Sequence, residues 1–281
     1  MLNLIRSDLF KLRKAKYFWV LLVINILLAV GTVCLLDFTY KLAGDSMEAQ
    51  LTQEQAALDD AGMNVSVEGI PTGHDELSAS SQMLTFFAGN TTLLMAVLIS
   101  LFVGSEFNNG TVKIIASRNY SRLKIYLSKL LVGILASVLF TLVFVLAATL
   151  TATALWGFGD VSGSFVPQLL QRGVLELLLG ASYVSIFVMF SILIRQNGGS
   201  LAANICFLEF TSLVVTLGEM LIHHFLDRSV TLSDYLPDMC MTALTQNPDR
   251  STLLRSSLVG ICFLLVPALV GAGSFRKRDI K

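Results

Sequence analysis

The side chains that could do chemistry are few, because 54% of this 281-residue chain is hydrophobic and only 14% is charged. Two carboxylates, Glu209 and Glu219, lie inside one long apolar run. A charge near the centre of a membrane span costs about 2.5–3.5 kcal/mol, so we expect Glu209 to face the helix bundle or a partner subunit rather than lipid. A role in a translocation path and a structural hydrogen bond both remain open for it. Glu219 lies nearer the end of the run, where it can reach water, and Asn90 can hydrogen-bond between helices.

No pattern typical of catalysis occurs in the sequence. The chain has three histidines, no GxSxG or HExxH motif, and no CxxC pair that would suggest a metal site. It also lacks the GxxxxGK[ST] loop that binds nucleotide phosphates. We therefore expect a protein that is not an enzyme, binds no metal or cofactor of its own, and draws energy for any uphill work from an ion gradient or a separate ATPase.

A basic segment, residues 105–129, lies between two of the apolar runs. Its Lys and Arg residues are explained by membrane topology, because positive charge accumulates on the cytoplasmic side. Topology does not require Glu106, Gly110 or Thr111. Gly110 suits a tight turn and Thr111 can cap a short helix behind it. The same stretch offers apolar anchors and one polar contact for a partner protein, at Val112, Lys113, Ile114 and Ile115.

The elements that must position these residues are membrane-spanning helices, each of which needs about 20 mostly apolar residues. Six runs have this length or nearly so, and they predict an all-α membrane protein that forms one domain over residues 1–281. The predicted spans cover residues 17–37, 83–104, 130–156, 174–194, 201–222 and 253–275.

Positive charge predicts the orientation of these spans. Of the twenty Lys and Arg residues, fourteen lie in the two termini and the segment 105–129, and Arg195, between the fourth and fifth spans, is the fifteenth on that side. These parts should therefore be cytoplasmic, and an even number of spans also places both termini on one side. Residues 1–16, basic and apolar on different faces, predict an interfacial helix with Leu2, Ile5, Leu9 and Leu12 on the apolar face.

The segments on the other side are acidic. Residues 38–82 contain eight carboxylates and one lysine, which predicts a solvated outer loop with an amphipathic helix in part of it. This loop either caps the outer end or attracts cationic substrates. Residues 223–251, which include Pro237 and Pro248, form a second outer segment.

Two short patches resemble a known family. The pattern EFNNGTVK, followed by SRLKIYLSK, and the ending FRKRDI resemble ABC-2 type permeases, especially the small bacterial permeases of bacitracin and lantibiotic export or immunity systems. Six spans, cytoplasmic termini, the N-terminal helix and the long outer loop also fit an ABC-2 architecture. The resemblance implies that residues 106–117 contain a coupling helix that docks on a separate ATPase, and that residues 223–251 contain short re-entrant helices.

From this resemblance we expect a permease in the plasma membrane that exports an amphipathic peptide, such as an antibiotic or bacteriocin, or a lipid-like substrate. Its partners would be ABC ATPase subunits, which bind ATP and Mg²⁺, and a second permease copy or paralogue, with no nucleic acid involved. A gradient-driven carrier that uses Glu209 and Glu219, and a non-transporting membrane sensor or anchor, are the alternatives.

Overall fold

The structure is a computed structural model, and it describes residues 1–60, 77–88, 91–111, 120–159, 163, 165–226, 232–246 and 248–277. The regular elements within these ranges are helical. They are α1 (Leu2–Lys14), α2 (Lys16–Asp60), α3 (Ala79–Phe87), α4 (Thr91–Asn108), α5 (Arg122–Trp156), α6 (Phe165–Ile194), α7 (Asn197–Leu226), a 3₁₀ turn (Ser233–Tyr235), α8 (Pro237–Thr245) and α9 (Arg250–Lys277).

Six candidate membrane spans lie within the described residues, which confirms the prediction of an all-α, multi-pass membrane protein. They are long and apolar enough to cross a bilayer, and they comprise Lys16–Leu42, Ala79–Asn108, Arg122–Trp156, Phe165–Ile194, Asn197–Ile222 and Arg250–Lys277. Every candidate span extends beyond its predicted counterpart, and the second, predicted for residues 83–104, is divided between α3 and α4. Hydropathy locates the apolar centre of a span, but polar residues that are good helix formers continue the helix past the bilayer.

The largest difference concerns the outer loop predicted for residues 38–82. Helix α2 continues without a break through Asp60, so about the first half of this region extends the first span and is no separate loop helix. The sequence between Leu42 and Asp60 is rich in Ala, Gln, Glu and Leu, which all favour helix, and contains no proline. Near the start of this extension, the Lys41 ammonium pairs with Asp37 one turn earlier at 2.7 Å.

The segment 105–129 also differs from the predicted connection, because both of its ends are helical. Helix α4 includes Glu106 and ends at Asn108, and helix α5 begins at Arg122. The segment 223–251 does contain short helices, the 3₁₀ turn and α8, which begins with Pro237 in its first turn. Proline is favoured there because the first backbone N–H groups of a helix have no intrahelical partner.

Helix α6 lies at the centre of the bundle, where it packs most extensively against α9 and also contacts α4, α5 and α7. Polar side chains hold other helix pairs together. The Asn25 amide donates to the Phe140 carbonyl oxygen at 2.9 Å, and the Asn204 amide donates to Ser100 Oγ at 2.8 Å. Such bonds between helices are the expected use of polar residues in membrane spans.

The two ends of the bundle differ in the elements they bring together. At one end α1 meets the end of α4 and the start of α5, and the Arg122 guanidinium donates to the Arg276 carbonyl oxygen of α9 at 3.1 Å. We call this the basic end. At the opposite end the Trp156 indole N–H donates to Asp37 at 2.9 Å. Both terminal helices thus reach the basic end, and its cytoplasmic location remains a prediction.

Candidate functional site

Four charged side chains meet at the basic end, and we call them the ionic cluster: Asp8, Lys11, Glu106 and Lys129. Lys129 Nζ lies 2.7 Å from Asp8 Oδ1 and 2.6 Å from Glu106 Oε1. Lys11 Nζ lies 3.1 Å from Glu106 Oε1 and 3.8 Å from Asp8 Oδ1. Two carboxylates and two ammonium groups are therefore shared among α1, α4 and α5.

The local sequence explains how α1 reaches this position. Leu4, Asp8 and Leu12 are its buried residues, and their spacing of four places them on one helical face. Of the predicted apolar face, Leu12 is buried against the bundle, whereas Leu2 and Leu9 are exposed, so their contact with lipid stays a prediction. Ala15 is extended, with φ −70° and ψ 124°, so α1 turns away from α2 at this residue. The bend allows α1 to lie across the end of the bundle with Asp8 turned inward.

Three of the four members of the ionic cluster are buried, and Lys11 is 40% exposed. The side chains of Asp8, Glu106 and Lys129 are 1%, 8% and 4% exposed. Removing charges from water is costly, and the cost is recovered only when the pairs have good geometry and further hydrogen bonds. Ser128 Oγ supplies one such bond by donating to Asp8 Oδ2 at 2.7 Å. The Lys129 ammonium also lies 4.7 Å from the centre of the Phe102 ring, a cation–π distance.

A tight turn follows the ionic cluster directly. Gly110 has φ +66°, which confirms the turn predicted there, since glycine adopts this conformation without steric cost. The Thr111 hydroxyl donates to the Glu106 carbonyl oxygen at 3.2 Å, so within the described residues it bonds backward to α4. A cavity of about 210 Å³ lies beside the turn, and its lining includes Lys11, Tyr17 and Glu106.

The predicted coupling residues are only partly within the described chain. Glu106 belongs to the ionic cluster, with its side chain turned away from the surface, and Gly110 and Thr111 form the adjacent turn. The other predicted coupling residues lie outside the described residues, namely Val112, Lys113, Ile114 and Ile115, and so does Asn90, which was predicted for the translocation path or a bond between helices. Sequence reasoning missed Asp8 and Lys129, whose pairing joins positions 121 residues apart.

The two carboxylates predicted for the membrane interior are not brought together. Glu209 is exposed on α7, and no residue of this helix's apolar window is buried within the chain. Glu209 thus does not face the bundle of its own chain, and the prediction that it faces the bundle or a partner subunit now depends on a partner subunit. Glu219 is half-buried and accepts hydrogen bonds from the Ser233 backbone N–H and hydroxyl, so it attaches α7 to the 3₁₀ turn.

A third carboxylate, Glu176, is the most buried of those in the spans. It is 3% exposed, and neither of its carboxylate oxygens has a hydrogen-bond partner among the described residues. The neighbouring helices bring Cys240 close to it, and burial raises the pKa of that thiol, which therefore stays protonated at neutral pH. Sequence reasoning missed Glu176 because it stands third in the predicted span 174–194. Helix α6 begins at Phe165, about three turns earlier, which places Glu176 well inside it.

The sequence model of a family described as "Protein of unknown function (DUF2705)" matches residues 46–281. No curated protein matches the chain. The matched range includes Glu106, Lys129 and Glu176, whereas Asp8 and Lys11 precede it.

Proposed function

The chain belongs to DUF2705, a family of proteins of unknown function, and we propose from its own residues that it is the membrane-spanning subunit of an ATP-driven transporter. The ATPase is a separate subunit that docks at the basic end and binds ATP and Mg²⁺. Two membrane subunits, identical or paralogous, enclose the path. The substrate is an amphipathic molecule, with a peptide antibiotic or bacteriocin favoured, and export proceeds across the plasma membrane away from the cytoplasm.

The observation that carries this proposal is the buried ionic cluster beside the Gly110 turn. Positive charge that only fixes topology needs no carboxylate partner and no burial. Here Lys129 is 4% exposed and bonds two carboxylates on two other helices. The cluster therefore fastens the interfacial helix, the end of the second span and the start of the third span to one another.

This arrangement supports a mechanical route from a partner to the spans. A partner that moves the turn after Asn108 acts on α4 directly and on α1 and α5 through Glu106. We assign Glu106 the role of a positioning residue, because its side chain is held by Lys11 and Lys129 and does not face outward. Closure of the ATPase pair on ATP would then shift the spans as a group and change access to the path.

Gly110→Val tests this route. Valine at φ +66° is strained by about 1–2 kcal/mol, so we expect the turn to rearrange and the ratio of transported substrate to hydrolysed ATP to fall about tenfold. The ratio is measured in proteoliposomes with the complex purified from its native membrane. Gly157→Val is the matched control, since Gly157 also has positive φ and open space around it but lies at the opposite end.

Two outcomes contradict the proposal. One is an equal loss of coupling in both glycine variants, which would reflect general strain rather than a coupling turn. The other is substrate transport by the purified chain in the absence of any ATP-hydrolysing subunit.

Glu176 supports a second candidate function, a carrier driven by a proton gradient. Intramembrane carboxylates without a partner typically mark ion pathways. If this carrier function is correct, liposomes that contain the chain alone acidify inside when a proton gradient is applied, and Glu176→Gln lowers the rate at least about tenfold, since the amide cannot take up the proton. Glu209→Gln, on the exposed face of α7, is the control. If the chain is instead the subunit of an ATP-driven transporter, we expect no acidification with the unmodified chain or with either variant. The internal pH is reported by a trapped pH-sensitive dye.

A further inference from the structure

A cavity of about 500 Å³ lies in the bend between α1 and α2, closed on its third side by α5. We call it the elbow cavity. Its buried floor is formed by Leu12, Phe18 and Ala136, and its exposed rim includes Trp19 and Leu139. The volume is in the range of small-molecule binding sites, which are about 300–1,000 Å³, and the walls are almost wholly apolar.

The depth of the elbow cavity indicates what can fill it. On α5, Leu135 and Leu139 lie six and ten residues beyond Lys129, about 9 and 15 Å further from the basic end at 1.5 Å per residue. The cavity thus extends from the level of the ionic cluster into the hydrocarbon region. Water would find few hydrogen-bond partners in a cavity with such apolar walls, whereas a hydrocarbon chain needs none.

The charge at its mouth indicates the headgroup. Arg13 is the charged residue that lines the cavity, and its backbone carbonyl oxygen accepts a hydrogen bond of 2.9 Å from the Trp19 indole. Arg6 and Lys14 are exposed on the same helix. The one carboxylate of α1 is Asp8, which is buried against Lys129. The exposed surface of α1 is therefore positive and suits an anionic lipid headgroup.

We propose that the elbow cavity binds an anionic phospholipid of the surrounding leaflet, with one acyl chain between α1, α2 and α5 and the phosphate at Arg13. On α1 the lipid contacts Leu9, Leu12 and Arg13, and Leu12 belongs to the buried face that also carries Asp8. Lipid binding therefore stabilises the position of α1 across the end of the bundle.

The experiment is native mass spectrometry of the full chain, released from nanodiscs that contain phosphatidylglycerol or phosphatidylcholine. We expect one phosphatidylglycerol to stay bound per chain. Arg13→Gln lowers its affinity about fivefold, the contribution of one basic side chain near an anionic surface. Lys14→Gln, which removes the same charge from the same helix outside the cavity, changes the affinity less than twofold.

A second pair of variants tests the acyl chain. Leu139→Trp narrows the cavity at its rim and should lower the binding of both lipids, because the larger side chain occupies apolar space that the acyl chain would otherwise fill. Leu146→Trp, at an exposed leucine of the same helix, is its control. Equal binding of the two lipids, equal effects of Arg13→Gln and Lys14→Gln, or unchanged binding in Leu139→Trp would each overturn the proposal.

Discussion

Replacing Lys129 by methionine is expected to destabilise the protein by about 3–5 kcal/mol, the usual cost of removing one partner from a buried ion pair. Methionine keeps the length and the apolar stem of the lysine. It leaves the carboxylates of Asp8 and Glu106 buried, and among the described residues the remaining ammonium group near them is that of the 40%-exposed Lys11. Most of the loss comes from these uncompensated negative charges rather than from lost packing.

The measurement is the free energy of unfolding in detergent, from denaturant titration. Lys124→Met is the matched control, because Lys124 is an exposed lysine on the same helix. Adding Asp8→Asn to Lys129→Met removes one of the stranded charges and should recover part of the loss. If Lys129→Met lowers the free energy of unfolding by about 1 kcal/mol or less, the lysine behaves as a member of a surface ion pair, which would contradict a buried cluster.

Gly104→Val is expected to cost about 3 kcal/mol, at the upper end of typical overpacking. A β-carbon at Gly104 would collide with the side-chain oxygen of Asn197 and would lie 3.0 Å from its Cα and 3.1 Å from its backbone N. A backbone cannot move aside as a flexible side chain can. Helices α4 and α7 must therefore separate at this point, which also weakens the hydrogen bond from Asn204 to Ser100.

The measurement is again the free energy of unfolding in detergent, together with the ratio of transported substrate to hydrolysed ATP. Gly31→Val is the control, since a β-carbon there meets nothing within 4 Å. Valine has a slightly better helix propensity than glycine, so this control should be neutral or mildly stabilising. Similar stability of both variants would mean that α4 and α7 are not in close contact.

The sequence was sufficient to predict six helical spans, because apolar runs of about 20 residues are decisive on their own. It was not sufficient for the helix ends. Nothing in hydropathy distinguishes a polar loop from a polar helix that continues a span, and α2 continues to Asp60. For the same reason the predicted span 174–194 leaves Glu176 close to its first residue, although α6 begins about three turns before it.

For the candidate site, sequence reasoning found Glu106 and Gly110 because their residue types have no topological explanation. It could not find that Lys129 pairs with Asp8, since that contact depends on how α1 bends at Ala15 and crosses the bundle. The sequence does contain one indication that Asp8 has a buried basic partner. Asp8 lies between Leu4 and Leu12 at a spacing of four residues, and a lone carboxylate on a buried helical face requires a buried basic partner.

The length of α2 has a mechanical consequence. Its 45 residues form a rod of about 68 Å, more than twice the thickness of the hydrocarbon core, which is about 30 Å. One end is held at the bend beside the ionic cluster, and the other extends far past the opposite face of the bundle. Asn25 and Asp37 bond α2 to α5, so the two helices tilt together, and a tilt of about 10° would carry the far tip of α2 about 12 Å sideways. The helix is thus a lever that converts a small angular change at one membrane surface into a large displacement beyond the other.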